Sequence, residues 1–409
     1  TREGAGMSVR MSDPVRPLTG NDRYGRRPPV KRRGAVRRMA VAIIAVLAVA
    51  VGIAALSIDG SRATAQRAAT GSSPQVLART DSSAFLHRYL GADGRVVRTD
   101  QGGDTVSEGQ AYALLLSVAT GQAADFASAW RWERAHLQLP SGLFAYHWSN
   151  GAVVSNQPAT DADLITAWAL ILAGQRFASP TYTTSGRAVA SAVLTNETVT
   201  VGGSLELVAG PWAVASPVVV NPSYLAPEAL TALATATGDP RWSALATSST
   251  DLTSGLTGFN PVHLLPDWVV MASNGTATPV GAADGTGVPA YGLDAQRSPV
   301  WLASSCTTTD RQVAARDWTV LQHADHGGGN LGYTLSGRST SSQVNPLGLA
   351  AAAAAAGAAG HLRSATSLLD QADQQSQQFH TYYGDAWAAL GRVLLTTDWL
   401  SPCPVVRSA

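Results

Sequence analysis

The sequence predicts an all-α protein in which the helices close into a ring, or toroid. Helical patterns of apolar residues recur with short connections from about residue 81 to residue 397, whereas the alternating patterns typical of strands are scarce. About 45% of the chain is hydrophobic and only 14% is charged, against roughly 25% charged in an average soluble protein. With about a dozen helices and no sheet to pack on, a closed helical toroid is the predicted way to bury this apolar surface.

The helical patterns follow one another in a regular order along the chain. The predicted helices span residues 81–91, 107–120, 122–138, 161–177, 181–195, 224–237, 239–257, 293–304, 309–323, 345–359, 361–378 and 382–397. The best strand candidates are VTVGGSLEL (199–207) and SPVVVN (216–221). The stretch LAAAAAAAGAAG (349–360) predicts an inner helix, because small side chains let neighbouring helices approach closely.

Two of these helices begin with the sequence signature of a capping box. In SEGQAYALLL, Ser107 is a candidate cap and Gln110, three residues on, can reach back to it. In ATDADLITAWALILA, Thr160 and Asp163 have the same spacing. In NPSYLAPEAL, Asn221 and Ser223 are candidate caps.

The N-terminal region differs from the rest of the chain in charge and hydropathy. Residues 1–38 hold eleven basic and three acidic residues, and the uncharged segment 39–58 is long enough to span a bilayer. This segment predicts either a signal anchor with its basic side in the cytoplasm or a secretory signal cleaved after ATA (63–65). Residues 59–77 read as a linker and 78–409 as a catalytic domain, which either interpretation places outside the cell, secreted or anchored to the outer face of the plasma membrane.

The remaining composition limits the cofactors and partners that we expect. Beyond residue 38 the net charge is −7, which argues against nucleic acid as a partner. No CxxC or HExxH spacing is present, so we expect neither a metal nor another cofactor. In an exported protein, Cys306 and Cys403 suggest one disulfide, the alternative being two buried thiols. We expect a monomer whose only membrane contact is segment 39–58, if it is uncleaved.

Ionisable residues recur at the beginning of the predicted helices. Glu108 and Asp161 occupy matching first-turn positions, Tyr224 begins a third helix, and Asp294 and Arg297 lie three residues apart before a fourth. An acidic residue in a first turn usually only complements the helix dipole. In a ring, however, helix N-termini at one end converge on one cleft, where neighbouring carboxyls raise one another's pKa and can separate into an acid and a base.

Aromatic residues surround these motifs, among eleven tryptophans in all. Most are expected in the core, but a few on a cleft wall would stack on the apolar faces of sugar rings. The candidates are Trp130, Trp132, Tyr146, Trp148, Trp168, Trp212, Trp268 and Trp301. Paired carboxyls together with such platforms suggest glycoside hydrolysis.

Several blocks, in order, resemble glycoside hydrolase family 8, the bacterial cellulase family. They are VSEGQAYALLL, ATDADLITAWALILAGQRF, NPSYLAPEAL, LLPDWV, LDAQRSP and YYGDAWAALGRVLL, and together they cover roughly residues 80–400. The main departures are Thr166, where the family usually has Ile or Met, and Leu293, where it often has an aromatic residue.

The resemblance implies an (α/α)6 barrel and an inverting mechanism on β-1,4-linked polymers. Glu108 matches the general acid, Asp294 the general base, and Asp161 the carboxylate that holds the distorted sugar. Tyr224 and Arg297 match residues that position the attacking water and the base. Trp148 and Asn221 are further candidates for substrate binding.

The predicted activity is that of an endo-β-1,4-glucanase, with a β-linked polysaccharide as the substrate. One alternative keeps the fold and mechanism but changes the substrate to xylan, mixed-linkage β-glucan or chitosan. Another is a non-catalytic cell-surface glycan-binding protein, which the presence of all three carboxylates disfavours. A polysaccharide lyase is also disfavoured, because no His-Tyr constellation stands out.

Overall fold

The computed structural model describes residues 73–258 and 263–406. Within these ranges the chain forms twelve α-helices, which confirms the all-α prediction. In chain order they are α1 Pro74–Tyr89, α2 Ser107–Thr120, α3 Ala123–His136, α4 Thr160–Arg176, α5 Pro180–Asn196, α6 Pro227–Thr237, α7 Pro240–Thr257, α8 Ser298–Ser304, α9 Thr308–Leu321, α10 Pro346–Ala358, α11 Leu362–Gln378 and α12 Tyr382–Thr396.

The even-numbered helices form a closed inner ring. Each contacts the next even-numbered helix, and α12 contacts α2, so that the ring has no open edge. Each odd-numbered helix lies outside and packs against the inner helix before it in the chain, with α1 packing against α12. The fold is therefore the (α/α)6 barrel that the family resemblance implied.

Except for α6, the inner helices are buried on almost every side. In α10 every residue from Pro346 to Gly357 is buried, which confirms that the alanine-rich stretch is an inner helix. A Cβ atom added to Gly391 of α12 would lie 2.9 Å from Ala350 Cβ, so these two helices need small residues at their contact. Because both faces of α10 are covered, its sequence is apolar all round rather than amphipathic.

Short strands occupy the connections that lead from outer to inner helices. They are β1 Thr105–Val106, β2 His147–Ser149, β3 Ala152–Ser155, β4 Thr198–Val201, β5 Ser204–Leu207, β6 Val218–Val220, β7 Trp268–Met271, β8 Ala277–Val280, β9 Ala290–Tyr291 and β10 Tyr333–Thr334. All pairings are antiparallel, in the orders β1-β2-β3, β4-β5, β6-β7-β8 and β9-β10. These connections all lie at the end of the barrel where the inner helices begin, and they build up that end.

Some predicted helix boundaries were wrong. Helix α1 begins at Pro74 rather than at residue 81, so the last four residues of the predicted linker 59–77 are helical. Helices α6 and α8 begin later than predicted, because 3₁₀ turns at Pro222–Tyr224 and Ala295–Arg297 precede them. Each of the two helices has a proline in its first turn, where the missing N–H costs no helical hydrogen bond.

Three predicted features lie outside the described residues: the leader 1–38, the hydrophobic segment 39–58 and the cleavage site at 63–65. Over 73–258 and 263–406, none of the helices combines the length and apolar character needed to cross a membrane.

A disulfide joins Cys306, just after α8, to Cys403 in the C-terminal tail. The Cα atoms are 5.3 Å apart, and the bridge spans 97 residues of sequence. The Arg311 guanidinium donates a 2.6 Å hydrogen bond to the carbonyl of Cys403, and Ser401 Oγ donates one of 2.6 Å to the carbonyl of Ser304. The tail is therefore held against the end of the barrel where the inner helices finish.

Replacing both cysteines by alanine should lower the free energy of unfolding by roughly 4–5 kcal/mol, because a crosslink closing about 100 residues restricts the unfolded chain. Urea denaturation with and without reductant measures the effect. The wild-type midpoint should fall on reduction, and the double variant should not respond. If the urea midpoint of the wild type does not change on reduction, the crosslink does not stabilise the protein.

A buried carboxyl lies between helices α3 and α4. Thr166 Oγ1 donates a 3.0 Å hydrogen bond to Glu133 Oε1, and both residues are fully buried. Thr166 is the position where the chain departs from the family pattern, and its hydroxyl provides a partner that Ile or Met could not. Burial raises the pKa of Glu133 to about 8, although the Thr166 hydrogen bond opposes the shift.

This raised pKa predicts that the protein loses stability as the pH rises. The folded state keeps a proton on Glu133 that the unfolded state releases near pH 4.5. The contribution of this proton to the free energy of unfolding is therefore full below pH 4.5 and declines up to about pH 8. Glu133→Gln should flatten the slope of unfolding free energy against pH by up to about 1.4 kcal/mol per unit in this window. Urea titrations at several pH values test this, and parallel curves for the two proteins would contradict it.

Candidate active site

The guanidinium of Arg297 joins two of the predicted site carboxylates. Its Nη1 lies 2.6 Å from Asp161 Oδ2, and its Nη2 lies 2.9 Å from Asp294 Oδ1. The Arg297 side chain is only 4% exposed. A buried guanidinium needs such partners, since it keeps its charge at any ordinary pH.

Two residues that were not predicted as partners of Arg297 complete its surroundings. Arg297 Nη2 donates a 2.7 Å hydrogen bond to Ser223 Oγ, and Nη1 donates a longer one, 3.4 Å, to the Tyr112 hydroxyl. From the sequence, Ser223 is a candidate helix cap only. Tyr112 could have been found, since it lies four residues after Glu108 and therefore on the same face of α2.

Asp161 is held in the first turn of α4. Its Oδ1 accepts a 2.9 Å hydrogen bond from the N–H of Ala162, while Oδ2 faces Arg297. Burial raises the pKa of Asp161, and the Arg297 guanidinium opposes that shift. Because Arg297 remains charged, the salt bridge favours the ionised form of Asp161 at neutral pH.

The predicted capping boxes of α2 and α4 are wrong. Neither helix has a side-chain cap hydrogen bond in the part of the chain that the structure describes. Gln110 Oε1 instead accepts from the N–H of Val96, and Asp163 Oδ1 accepts a 2.8 Å hydrogen bond from the N–H of Phe144. Both side chains bind neighbouring connections because the inner helices begin inside the protein, where those backbone groups need partners.

Glu108 lies in the first turn of α2, beside Asp161. Its Oε2 is buried and has no hydrogen-bond partner within 73–258 and 263–406. Burial and, next, the charge of Asp161 raise the pKa of Glu108 to about 8, against the opposing effects of a backbone hydrogen bond and Arg297. These influences outweigh the helix dipole, which favours the charged form. The raised pKa favours the protonated form of Glu108 at neutral pH.

Asp294 has a different environment from Glu108. Its side chain is 34% exposed, and its Oδ1 accepts from Arg297. The Asp294 carboxyl is thus partly open to solvent and bound to a cation, while Oε2 of Glu108 is enclosed and lacks a hydrogen-bond partner among the described residues. Such a difference between two carboxyls is what separates a proton donor from a proton acceptor in one site.

The remaining predicted residues lie around this cluster. The Arg297 guanidinium carbon lies 5.2 Å from the centroid of the Tyr224 ring. Asn221 is buried, and its Oδ1 accepts from the N–H (3.0 Å) and the hydroxyl (2.6 Å) of Ser223, so it acts on the cluster through Ser223. Asn221 does cap its short helix as predicted.

The aromatic candidates fall into two groups. Trp168, Trp301, Trp130 and Trp132 are buried in the core. Trp148 is half-buried in β2, opposite Thr105 in β1, and its ring packs against Trp132 (5.6 Å) and His136 (5.1 Å). The backbone of Trp148 thus lies alongside β1, the strand that leads directly into α2. Glu108 is also the largest influence raising the pKa of the neighbouring Tyr146.

The structure thus brings Asp161, Asp294, Arg297 and Tyr224 together, with Glu108 next to Asp161. Over the described ranges, no group of three or more His, Cys, Asp or Glu side chains could hold a metal ion. The cluster offers a neutral carboxylic acid, two carboxylates and a fixed cation between them, at the open end of a helical barrel.

The comparisons place this chain in a family of enzymes. The model for glycosyl hydrolases family 8 matches residues 63–397, and the chain belongs to this family. It is 34% identical over 223 residues to a probable endoglucanase from Novacetimonas hansenii, covering 53% of this chain and 64% of that protein. The chain thus spans less than two thirds of the length of the first curated relatives it matches.

Solved structures of the family have the same fold. An endo-β-1,4-glucanase from Acetobacter xylinum is 26% identical, with a TM-score of 0.66 over 79% of this chain and 98% of that one. A β-1,3-1,4-glucanase from Paenibacillus sp. X4 has a TM-score of 0.70 at 21% identity, over 79% of this chain and 93% of that one.

Proposed function

We propose that this protein is an inverting endo-β-1,4-glucanase. The single observation that carries the proposal is the pairing of Glu108, whose Oε2 is buried without a hydrogen-bond partner among the described residues, with a half-exposed Asp294 that is bound to Arg297. Family membership and relatives named as endoglucanases support the choice of a β-1,4-glucan.

In this mechanism Glu108 donates its proton to the glycosidic oxygen as the bond to the anomeric carbon breaks. Asp294 accepts a proton from the water that attacks the opposite face of the sugar. Asp161 carries negative charge beside the sugar at the cleavage point, where it stabilises the developing oxocarbenium ion. Arg297 and Tyr224 position Asp294 and the attacking water. One turnover leaves Glu108 ionised and Asp294 protonated, and exchange with solvent restores both.

A substrate screen tests this proposal. The purified protein should release reducing ends from carboxymethylcellulose faster than from xylan or chitosan, and the viscosity should fall early, since cleavage is internal. Barley β-glucan shows whether mixed linkages are accepted. The variant Glu108→Gln is the control for contaminating hydrolases. No hydrolysis of any of these glycans by the wild type would favour the non-catalytic, glycan-binding alternative.

We also propose that the enzyme acts outside the cell, as a monomer secreted or held at the outer face of the plasma membrane by residues 39–58. The disulfide supports export, because such bonds persist in oxidising compartments. One chain supplies every residue of the site, which supports a monomer. Protease added to intact cells should degrade any anchored enzyme, and protection of the whole pool would contradict export.

A further inference from the structure

We propose that Asp267 is a positioning residue that holds Asp294 in place for catalysis, an inference that rests on the proposed function. Asp267 directly precedes β7, and its N–H donates a 2.9 Å hydrogen bond to the carbonyl of Ala290 in β9. It is therefore fixed to the strand from which the chain turns toward Asp294. It lies within LLPDWV, a block that had no assigned chemistry.

The Asp267 carboxylate holds the backbone on both sides of Asp294. Its Oδ1 accepts hydrogen bonds from the N–H of Ala295, at 2.8 Å, and from the N–H of Gly292, at 3.1 Å. These donors flank Asp294, which directly precedes the 3₁₀ turn Ala295–Arg297. The same oxygen thus sets both ends of the turn, and through it the direction of the Asp294 side chain.

Close packing against Gly292 supports the assignment independently. A Cβ atom added at Gly292 would lie 2.4 Å from Asp267 Oδ2, so any side chain there would displace the carboxylate. The arrangement also works against stability, because burial and the charge of Asp294 raise the pKa of Asp267 to about 7. A protein is expected to keep Asp267 beside Asp294, despite the loss of stability, where the turn around Asp294 must be held in one conformation.

Two substitutions separate the hydrogen bonds from the charge. In Asp267→Asn the amide oxygen can still accept both N–H bonds, so at least about half of kcat should remain. Asp267→Ala removes the acceptor, and kcat should fall on the order of 10²-fold with KM changed less than about threefold, as expected for a misplaced catalytic group. Gly292→Ala should cause the same fall in kcat as Asp267→Ala, because its methyl group would displace the Asp267 carboxylate. Asp284→Ala, an exposed carboxyl on the same connection, is the matched control and should keep wild-type kcat.

A double variant tests whether Asp267 acts through Asp294. With an activated aryl β-cellobioside, whose cleavage needs the base but little help from the acid, Asp267→Ala should still cause its full loss of kcat in a Glu108→Gln background, and thermal unfolding should show all variants folded. An unchanged rate on adding Asp267→Ala there, or wild-type kcat for Asp267→Ala alone, would overturn the inference and leave the proposed function intact. A wild type inactive on every glycan would overturn both.

Discussion

Replacing Glu108 by glutamine should lower kcat on unactivated β-1,4-glucan by roughly 10²–10⁴-fold, the range that general acid catalysis contributes. The amide fills the same space next to Asp161 but has no acidic proton for the leaving oxygen. Aryl cellobiosides, whose leaving groups need little protonation, should lose much less. Near-normal turnover of polysaccharide by the variant would contradict the assignment of Glu108 as the acid.

The pH dependence gives a second measure of the same group. Since the acid must be protonated and its pKa is about 8, the wild-type rate should fall as the pH rises through this value. Asp161→Asn removes the neighbouring charge that helps to raise this pKa, so its residual activity should have a basic limb at lower pH. A variant with low activity but an unmoved basic limb would contradict the electrostatic link between Asp161 and Glu108.

The second large effect concerns Asp294 and the stereochemistry of the product. If Asp294 is the base of an inverting enzyme, its carboxyl should lie roughly 6.5–9.5 Å from that of Glu108, which leaves room for water. Hydrolysis of a β-linked chain should then release the α-anomer first, as proton NMR of the nascent product would show. Asp294→Asn should stop the reaction, because the amide cannot take a proton from water.

Controls distinguish the base from a nucleophile. Asp294→Asn should bind substrate with an affinity close to that of the wild type, since Asp294 is half-exposed and Arg297 keeps its bond to Asp161. Azide should restore the rate poorly unless the anion enters from the face that water uses. An initial β-anomer would mean retention of configuration, and the role of Asp294 would have to be abandoned.

The site residues in the first turns of helices could be predicted from sequence. Glu108 in α2 and Asp161 in α4 stand out because each is an ionisable residue directly before a long apolar run. Arg297 and Asp294 could be paired by their spacing of three. Asp267 could not be predicted in this way, because its effect on Asp294 depends on contacts between parts of one connection that lie 25 and 28 residues apart in the chain.

The sequence by itself determined the twelve helices, the ring they form and the carboxylates at their first turns, because apolar periodicity is a local property of the chain. Only the tertiary structure decided the hydrogen-bond partners. Gln110 and Asp163 match a local capping motif, yet each bonds to a neighbouring connection that the closed ring brings alongside. Protonation was decided in the same way, since the pKa of Glu108 depends on burial and on Asp161, and both arise only when α2 and α4 pack together.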